Sequence, residues 1–164
     1  MSQTEYNAQR DKGIRGLADD GPRGNVRGFA AEAALLFGYY VTKGTDPEKQ
    51  VTPPTDATHI QDLANIGGIV VRDHLTENNV NVAGDVEIRV NDAVAVLDNG
   101  DIWVPVEQDV TPDDPVFVRF SAPGSEKLGA FRKDDDGGDA AELPNARWIE
   151  GGSAGNIAKL AVNF

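Results

Sequence analysis

The stretch "DAVAVLDNGDIWVPVEQDV", Asp92 to Val110, decides the fold class. Val94 and Val96 alternate with smaller or polar neighbours, and so do Ile102, Val104 and Val106. Alternation with a period of two is the pattern of a half-buried β-strand. Asn99-Gly100, between the two runs, matches the two-residue type I′ loop, whose central positions both need φ > 0. The spacing predicts a hairpin with Val94, Val96, Ile102, Val104 and Val106 on the core side. The other side of the second strand carries Asp101, Trp103, Pro105 and Glu107. A Trp on that polar side calls for cover from a loop, an N-terminal arm or another chain, because its large apolar body favours buried contacts.

The same period extends outward. Val80 and Val82 precede a turn at Gly84-Asp85; Val86, Ile88 and Val90 then alternate up to a turn at Asn91-Asp92. Beyond the turn at Val110 to Asp114, Val116, Val118 and Phe120 alternate. "RWIE", the small-residue turn "GGSAGN" and "IAKLAVNF" close the chain, with Ala158, Leu160, Val162 and Phe164 on one face. Upstream, "FGYYV" predicts a strand over about 36–43, while 29–35 reads equally as helix or strand. In "HIQDLANIGG", Ile60, Leu63 and Ala64 share one face of a helical turn that Gly67-Gly68 would stop before a short buried strand, "IVVR". Short strands at this spacing, joined by tight turns, make a small antiparallel barrel or sandwich with at most one short helix.

Residues 1–28 have no apolar period. Ile14, Leu17 and Val26 are their larger aliphatics, and Gly or Pro recurs every few positions. We expect an extended N-terminal arm over 1–28 and a β-rich body over 29–164. Charge divides the same way. The arm holds Arg10, Lys12, Arg15, Arg23 and Arg27 against four acids, so of the 15 basic and 27 acidic residues the body keeps 10 and 23. A body this acidic repels phosphate backbones, which excludes nucleic acid as an expected partner. No apolar run approaches the ~20 residues of a membrane span.

The inventory for catalysis is thin. There is no Cys, and none of the four serines sits in a Gly-x-Ser-x-Gly elbow. His59 and His74 lack metal-ligand spacing, although Asp56, Asp62 and Asp73 lie nearby. "DDDGGD", Asp134 to Asp139, departs from the calcium-loop register and reads as an exposed, solvated acidic loop. "GGSAGN" has no Walker Lys. We expect no enzyme activity, no cofactor and no metal.

"VNDAVAVLDNGDIWVPVEQDVTPDDPVFVRF" resembles the central block of tailed-bacteriophage capsid cement proteins, also called head decoration proteins. In that family the block runs G-D-x-V-x-V-L-x-x-G-x-I-W-V-x-V-E and then G-D-P-V-Y, the latter matched here by Asp113-Asp114-Pro115-Val116-Phe117. "LPNARWIEGGSAGNIAKLAVNF" is similar to the family's closing block, and "FGYYV" to its opening. The stretches 45–66 and 133–142 match no part of the pattern. The resemblance implies a mainly β protein: a small antiparallel β-barrel or β-tulip-like body with an extended N-terminal arm. It implies a non-enzymatic virion protein on the capsid exterior, made in the bacterial host cytoplasm. Its partners would be the major capsid protein and itself, as a homotrimer. Expected interface residues are Tyr6, Arg10, Lys12, Ile14, Arg15, Leu17, Arg23 and Arg27 in the arm, with Trp103 and Trp148 in the body. Two other classes fit the residues. One is a β-barrel glycan- or peptide-binding module that stacks ligands on Trp103 or Trp148. The other is a metal-dependent hydrolase built on His59, His74 and the nearby Asp residues.

Overall fold

The computed structural model describes residues 13–18, 24–72 and 85–164. In chain order the elements are β1 (Asn25–Ala31), β2 (Leu35–Leu36), β3 (Tyr40–Lys43), β4 (Gln50–Thr52), α1 (Thr58–Gln61), β5 (Ile66–Val70) and β6 (Glu87–Ile88). Then come β7 (Ala93–Pro105), β8 (Phe117–Arg119), β9 (Phe131–Arg132), β10 (Ala140–Glu142), β11 (Ala146–Glu150) and β12 (Ile157–Asn163). The protein is mainly β with one short helix among the described residues, as the alternation predicts.

The main sheet runs β1-β4-β3-β5-β7-β12-β11, and β1 also pairs with β7. That extra pairing closes β1, β4, β3, β5 and β7 into a five-stranded barrel, which removes sheet edges that water or another chain would otherwise satisfy. Each wall strand sends apolar side chains inward: Ala31, Val51, Val41, Val70, and Val94 with Val96. Leu35, Phe37 and Ile88 join them from the β2–β6 ribbon and its turn.

A second, larger core lies outside the barrel wall. Tyr40, Ile69 and Leu97 face out of the wall and meet Ile102, Val104, Val106, Trp148, Ala158, Leu160 and Val162. The β10-β8-β9 sheet adds Val118, Phe131 and Ala141, and Ile60 plugs in from α1. Ile60 is fully buried, but Leu63 is 57% exposed. The expectation that the two share a buried face fails because the helix ends at Gln61.

The hairpin expected at Asn99-Gly100 does not form. β7 runs straight through it as one 13-residue strand. The phase of the valines explains this. A two-residue loop at 99–100 would set residue 96 opposite 103 and so put Val96 on the Trp103 side. Keeping the even positions together, as this sequence does, is what an uninterrupted strand requires. Gly100 has φ +137°, while Asn99 is not among the positive-φ residues, so the I′ pair is absent. A Cβ at Gly100 would lie 3.1 Å from the Gly24 Cα, so the glycine admits a close crossing.

All five expected core residues of this stretch are buried, but they divide between the two cores. The cause is a bulge. Asn25 pairs with Asn99 and Val26 with Leu97, which leaves Asp98 as the extra residue. One extra residue shifts the phase, so Leu97 shares a core with Ile102 while Val96 faces the barrel interior.

Three further expectations are corrected. Strand β1 begins at Asn25 and pairs along Ala93 to Asn99, so regular structure starts well before residue 29. Its sequence, NVRGFAA, carries an exposed Arg and Gly and no clean alternation. Gly67-Gly68 does not stop a helix but lies inside β5, where a Cβ at 67 would meet the Val41 carbonyl oxygen at 2.7 Å. The acidic stretch 133–142 is not a free loop, because it ends in β10 and is tied down by ion pairs. The expected strand around Val80 and Val82, with its turn at Gly84, lies outside the described residues.

Candidate functional site

Two features remain once the cores are accounted for: the N-terminal segment laid on β7, and a charged cluster beside it.

Residues 13–18 continue the line of β1 along β7. Asn25 pairs with Asn99, and Ala18 bridges antiparallel to Ile102. The Gly16 N–H donates to the Trp103 carbonyl (2.7 Å), the Trp103 N–H donates to the Leu17 carbonyl (3.1 Å), and the Arg72 N–H donates to the Gly16 carbonyl (2.7 Å). Gly16, at φ +76°, sits where a Cβ would come within 3.0 Å of the Gly38 nitrogen and of the Phe37 Cβ. A side chain there would be both strained and crowded. Gly13 lies flat on the indole of Trp103, and a Cβ on it would overlap Cδ1 and Nε1. Lys159 Nζ stands 5.9 Å from the same ring.

These contacts answer the question Trp103 raised. The indole is 7% exposed, covered by this chain's own N-terminal segment. Glycines at 13, 16 and 38 make the close approach sterically feasible. Ile14 and Leu17 on the covering segment are exposed, so the segment buries Trp103 underneath and presents aliphatic side chains outward.

The charged cluster stands on β8 and β9. Arg119 and Arg132 are 2% and 5% exposed. Arg119 Nε donates to both Glu107 carboxylate oxygens (2.9 and 3.0 Å), and Nη2 donates to Asp136 (2.5 Å). Arg132 reaches Glu107 (3.1 Å), Asp134 (2.7 Å) and Asp136 (2.7 Å). Burial by itself would lower the Arg119 pKa, but the Glu107 and Asp136 carboxylates more than reverse that and fix its charge. The hydrogen bond from Arg119 holds Asp136 below the usual carboxylate range, and the Gln108 amide does the same for Asp134, with Arg132 adding to both. A buried guanidinium needs such partners, because unpaired it would carry a large desolvation penalty. The cluster floors an open cleft rimmed by Arg15, Glu126 and Lys127. Each charge on its floor is answered within the chain, which suits a brace better than a catalytic centre.

The expected interface residues separate by position. Tyr6, Arg10, Lys12 and Arg23 lie outside the described residues. Arg15 stacks over Tyr39 (5.7 Å) and lies 3.9 Å from Asp85, which also pairs with Lys127. Arg27 binds Asp98 (2.6 Å), which also accepts from Asn25 (3.1 Å), clasping β1 to β7 at the bulge. Trp148 is 3% exposed, donates Nε1–H to the Pro115 carbonyl (3.2 Å) and meets Phe131 edge-on. The sequence reading missed the Arg119–Arg132 brace, although two Arg at strand ends facing a "DDD" run were its visible trace.

His59 uses Nδ1 to accept the Thr55 N–H (3.3 Å), a loop contact; His74 lies outside the described residues. No group of three or more potential metal ligands occurs among the described residues. None of the described helices is long and apolar enough to cross a membrane.

A chain of the capsid of Myoviridae phage XM1 superposes with a TM-score of 0.69 at 19% identity, covering 98% of both chains. The head fiber gp8.5 N base of bacteriophage phi29 superposes with a TM-score of 0.50 at 10% identity, over 85% of this chain and 94% of that one. At these identities the likeness is one of fold. No curated protein matches the sequence. Residues 1–163 match the family model described as structural cement protein (E217 gp24/Pam3 gp6), and the chain belongs to that family of phage structural cement proteins.

Proposed function

We propose that this protein binds the outer surface of an icosahedral phage capsid and cements neighbouring capsomers. Membership of the family carries a structural role in the virion. The observation that supports the finer reading is the extent of the match, from residue 1 to 163, so that the N-terminal segment and the β body are matched as one unit. A barrel whose N-terminal segment lies on its surface is suited to that task. The body supplies a rigid footing, and the chain before Gly13 is free to supply contacts to a neighbour. The non-enzymatic reading rests on the same footing, since the charged cluster is internally neutralised.

The mechanism is linkage. A ligand that binds the assembled shell across a capsomer boundary, and not the separated capsomers, stabilises the shell by RT ln(1 + [L]/Kd), about 2.7 kcal/mol per site at a hundredfold excess over Kd. Association of the protein with itself would add multivalency. Ile14 and Leu17 offer exposed aliphatic contacts, and Tyr6, Arg10, Lys12, Arg15 and Arg23 are the further contact residues in this reading. Trp103 supports the segment from beneath. An acidic body on the shell exterior, facing away from DNA, needs no nucleic-acid contact. The glycan- or peptide-module reading loses its platform, because both indoles are covered.

The test is deletion of residues 2–12, which leaves the Trp103 contact intact, followed by binding to undecorated shells and thermal disruption of the particles. We expect weaker binding and a less heat-resistant shell. Full occupancy with full shell stability would assign the cementing to the body alone, and no binding by the intact protein would overturn the proposal.

A further inference from the structure

In the main sheet the order ends at β11, and among the described residues β11 pairs on one side only, with β12. Every other strand of that sheet has neighbours on both sides, because the barrel closes on β7. An open edge presents backbone donors and acceptors to whatever chain can match them.

We propose that β11 is a self-complementary edge at which two copies of this chain pair antiparallel, about a two-fold axis normal to the sheet. The support is a matter of faces. In a regular strand Arg147 and Glu150, three residues apart, would point to opposite faces. Here a register shift falls between Trp148 and Glu150. Arg147 lies opposite Ala161 and Glu150 opposite Lys159. Ala158, Leu160 and Val162 are buried in the core, so residues 159 and 161 face outward, and Arg147 and Glu150 face outward with them. Trp148, opposite Leu160, faces the core.

A two-fold axis normal to a sheet keeps each face on its own side. Antiparallel pairing of β11 with its copy then sets Arg147 across from the partner's Glu150, and Glu150 across from the partner's Arg147. The row continues with Lys159 beside Glu150, so the signs alternate across the seam. Opposite charges directly across strands stabilise pairing and like charges oppose it. Each copy carries a net charge of -12, which disfavours association at long range. Physiological salt screens that repulsion beyond about 8 Å, so the contact residues decide. A second copy is the occupant because the complementarity needs only this sequence. The inference goes beyond capsid binding and replaces the trimer implied by family resemblance with a two-fold contact.

The experiment uses the free, full-length protein in sedimentation equilibrium at physiological salt, up to millimolar chain. We expect reversible dimers. Arg147→Glu alone and Glu150→Arg alone should each weaken dimerisation tenfold or more, and the combined exchange should restore it, with circular dichroism showing each variant folded. Should a single reversal unfold the chain, Arg147→Cys with Glu150→Cys provides the second route. The natural chain has no Cys, and directly paired residues on adjacent strands lie within disulfide reach. Oxidation should yield covalent dimers. A monomer at all concentrations, a trimer, single reversals without effect, or a double exchange that fails to restore dimers would each overturn the proposal.

Discussion

Replacing Gly13 by Val tests whether residues 13–18 are a docked strap or part of the body. The segment holds on through three backbone hydrogen bonds to Trp103 and Arg72, worth about 1 kcal/mol each net. It also covers the Trp103 indole. Uncovering about half of such a side chain, roughly 100 Å², costs about 2.5 kcal/mol at ~25 cal/mol per Å². Against this stands the ordering of six residues at roughly 1 kcal/mol each, the low end of backbone entropy estimates. The opposing terms nearly cancel, so docking is marginal, and one misplaced side chain suffices to undo it. A Cβ at residue 13 overlaps the indole. We expect Gly13→Val to release the segment, raise acrylamide quenching of Trp103 several-fold and shift its emission to the red. Global stability should fall by less than about 2 kcal/mol, because release returns the entropy. Trp148, buried in the outer core, contributes a constant background that a Trp103→Phe control isolates. Unchanged quenching in a folded Gly13→Val protein would refute the interlock. A loss of more than about 4 kcal/mol, the scale of core truncations, would show that the segment belongs to the core.

Further predictions concern the body. Val104→Ala, at a fully buried site, should cost about 2–3 kcal/mol in denaturant unfolding, from two lost methyl groups and the cavity they leave; the exposed Val26→Ala should cost under about 1 kcal/mol. Arg119→Met strands Glu107 and Asp136 without their buried partner and should destabilise by about 3–5 kcal/mol; a neutral result would dissolve the brace. Asp134 and Asp136 have lowered pKa values in the folded state. Their contribution is therefore present above the unfolded carboxylate pKa of about 3.9 and lost as pH falls through the lower folded values. Urea unfolding at successive pH should show Asp136→Asn flattening the acid limb of the stability profile, and an unchanged slope would contradict the assignment.

Much of this protein was legible in local pattern. The period of two along Val94 to Val106 and along Ala158 to Val162 identified strands with one buried side, because side chains of an extended chain alternate whatever lies around them. Phe117 to Arg119 and the turn at Asn91 followed from equally local signals. The covered Trp was foreseen in kind, since a polar-face indole needs a lid. Local pattern could not say which side of a strand meets which core. Asn99-Gly100 carries the chemistry of a hairpin loop, yet β1 and β12 both bond to Asn99 and hold β7 straight. The gain from pairing on both edges overrides a turn propensity. The bulge at Asp98, the clasp of Arg27 on it, and the division of the valines between two cores depend on partners 60 or more residues away. So does the capture of Asp134 and Asp136 by Arg119 and Arg132, which turned an acidic run from solvated loop to brace. Sequence alternation determines that strands exist and which residues seek burial. Barrel closure, which satisfies backbone groups over long separations, decides where those strands bend, what they pair with and which glycines must stay bare.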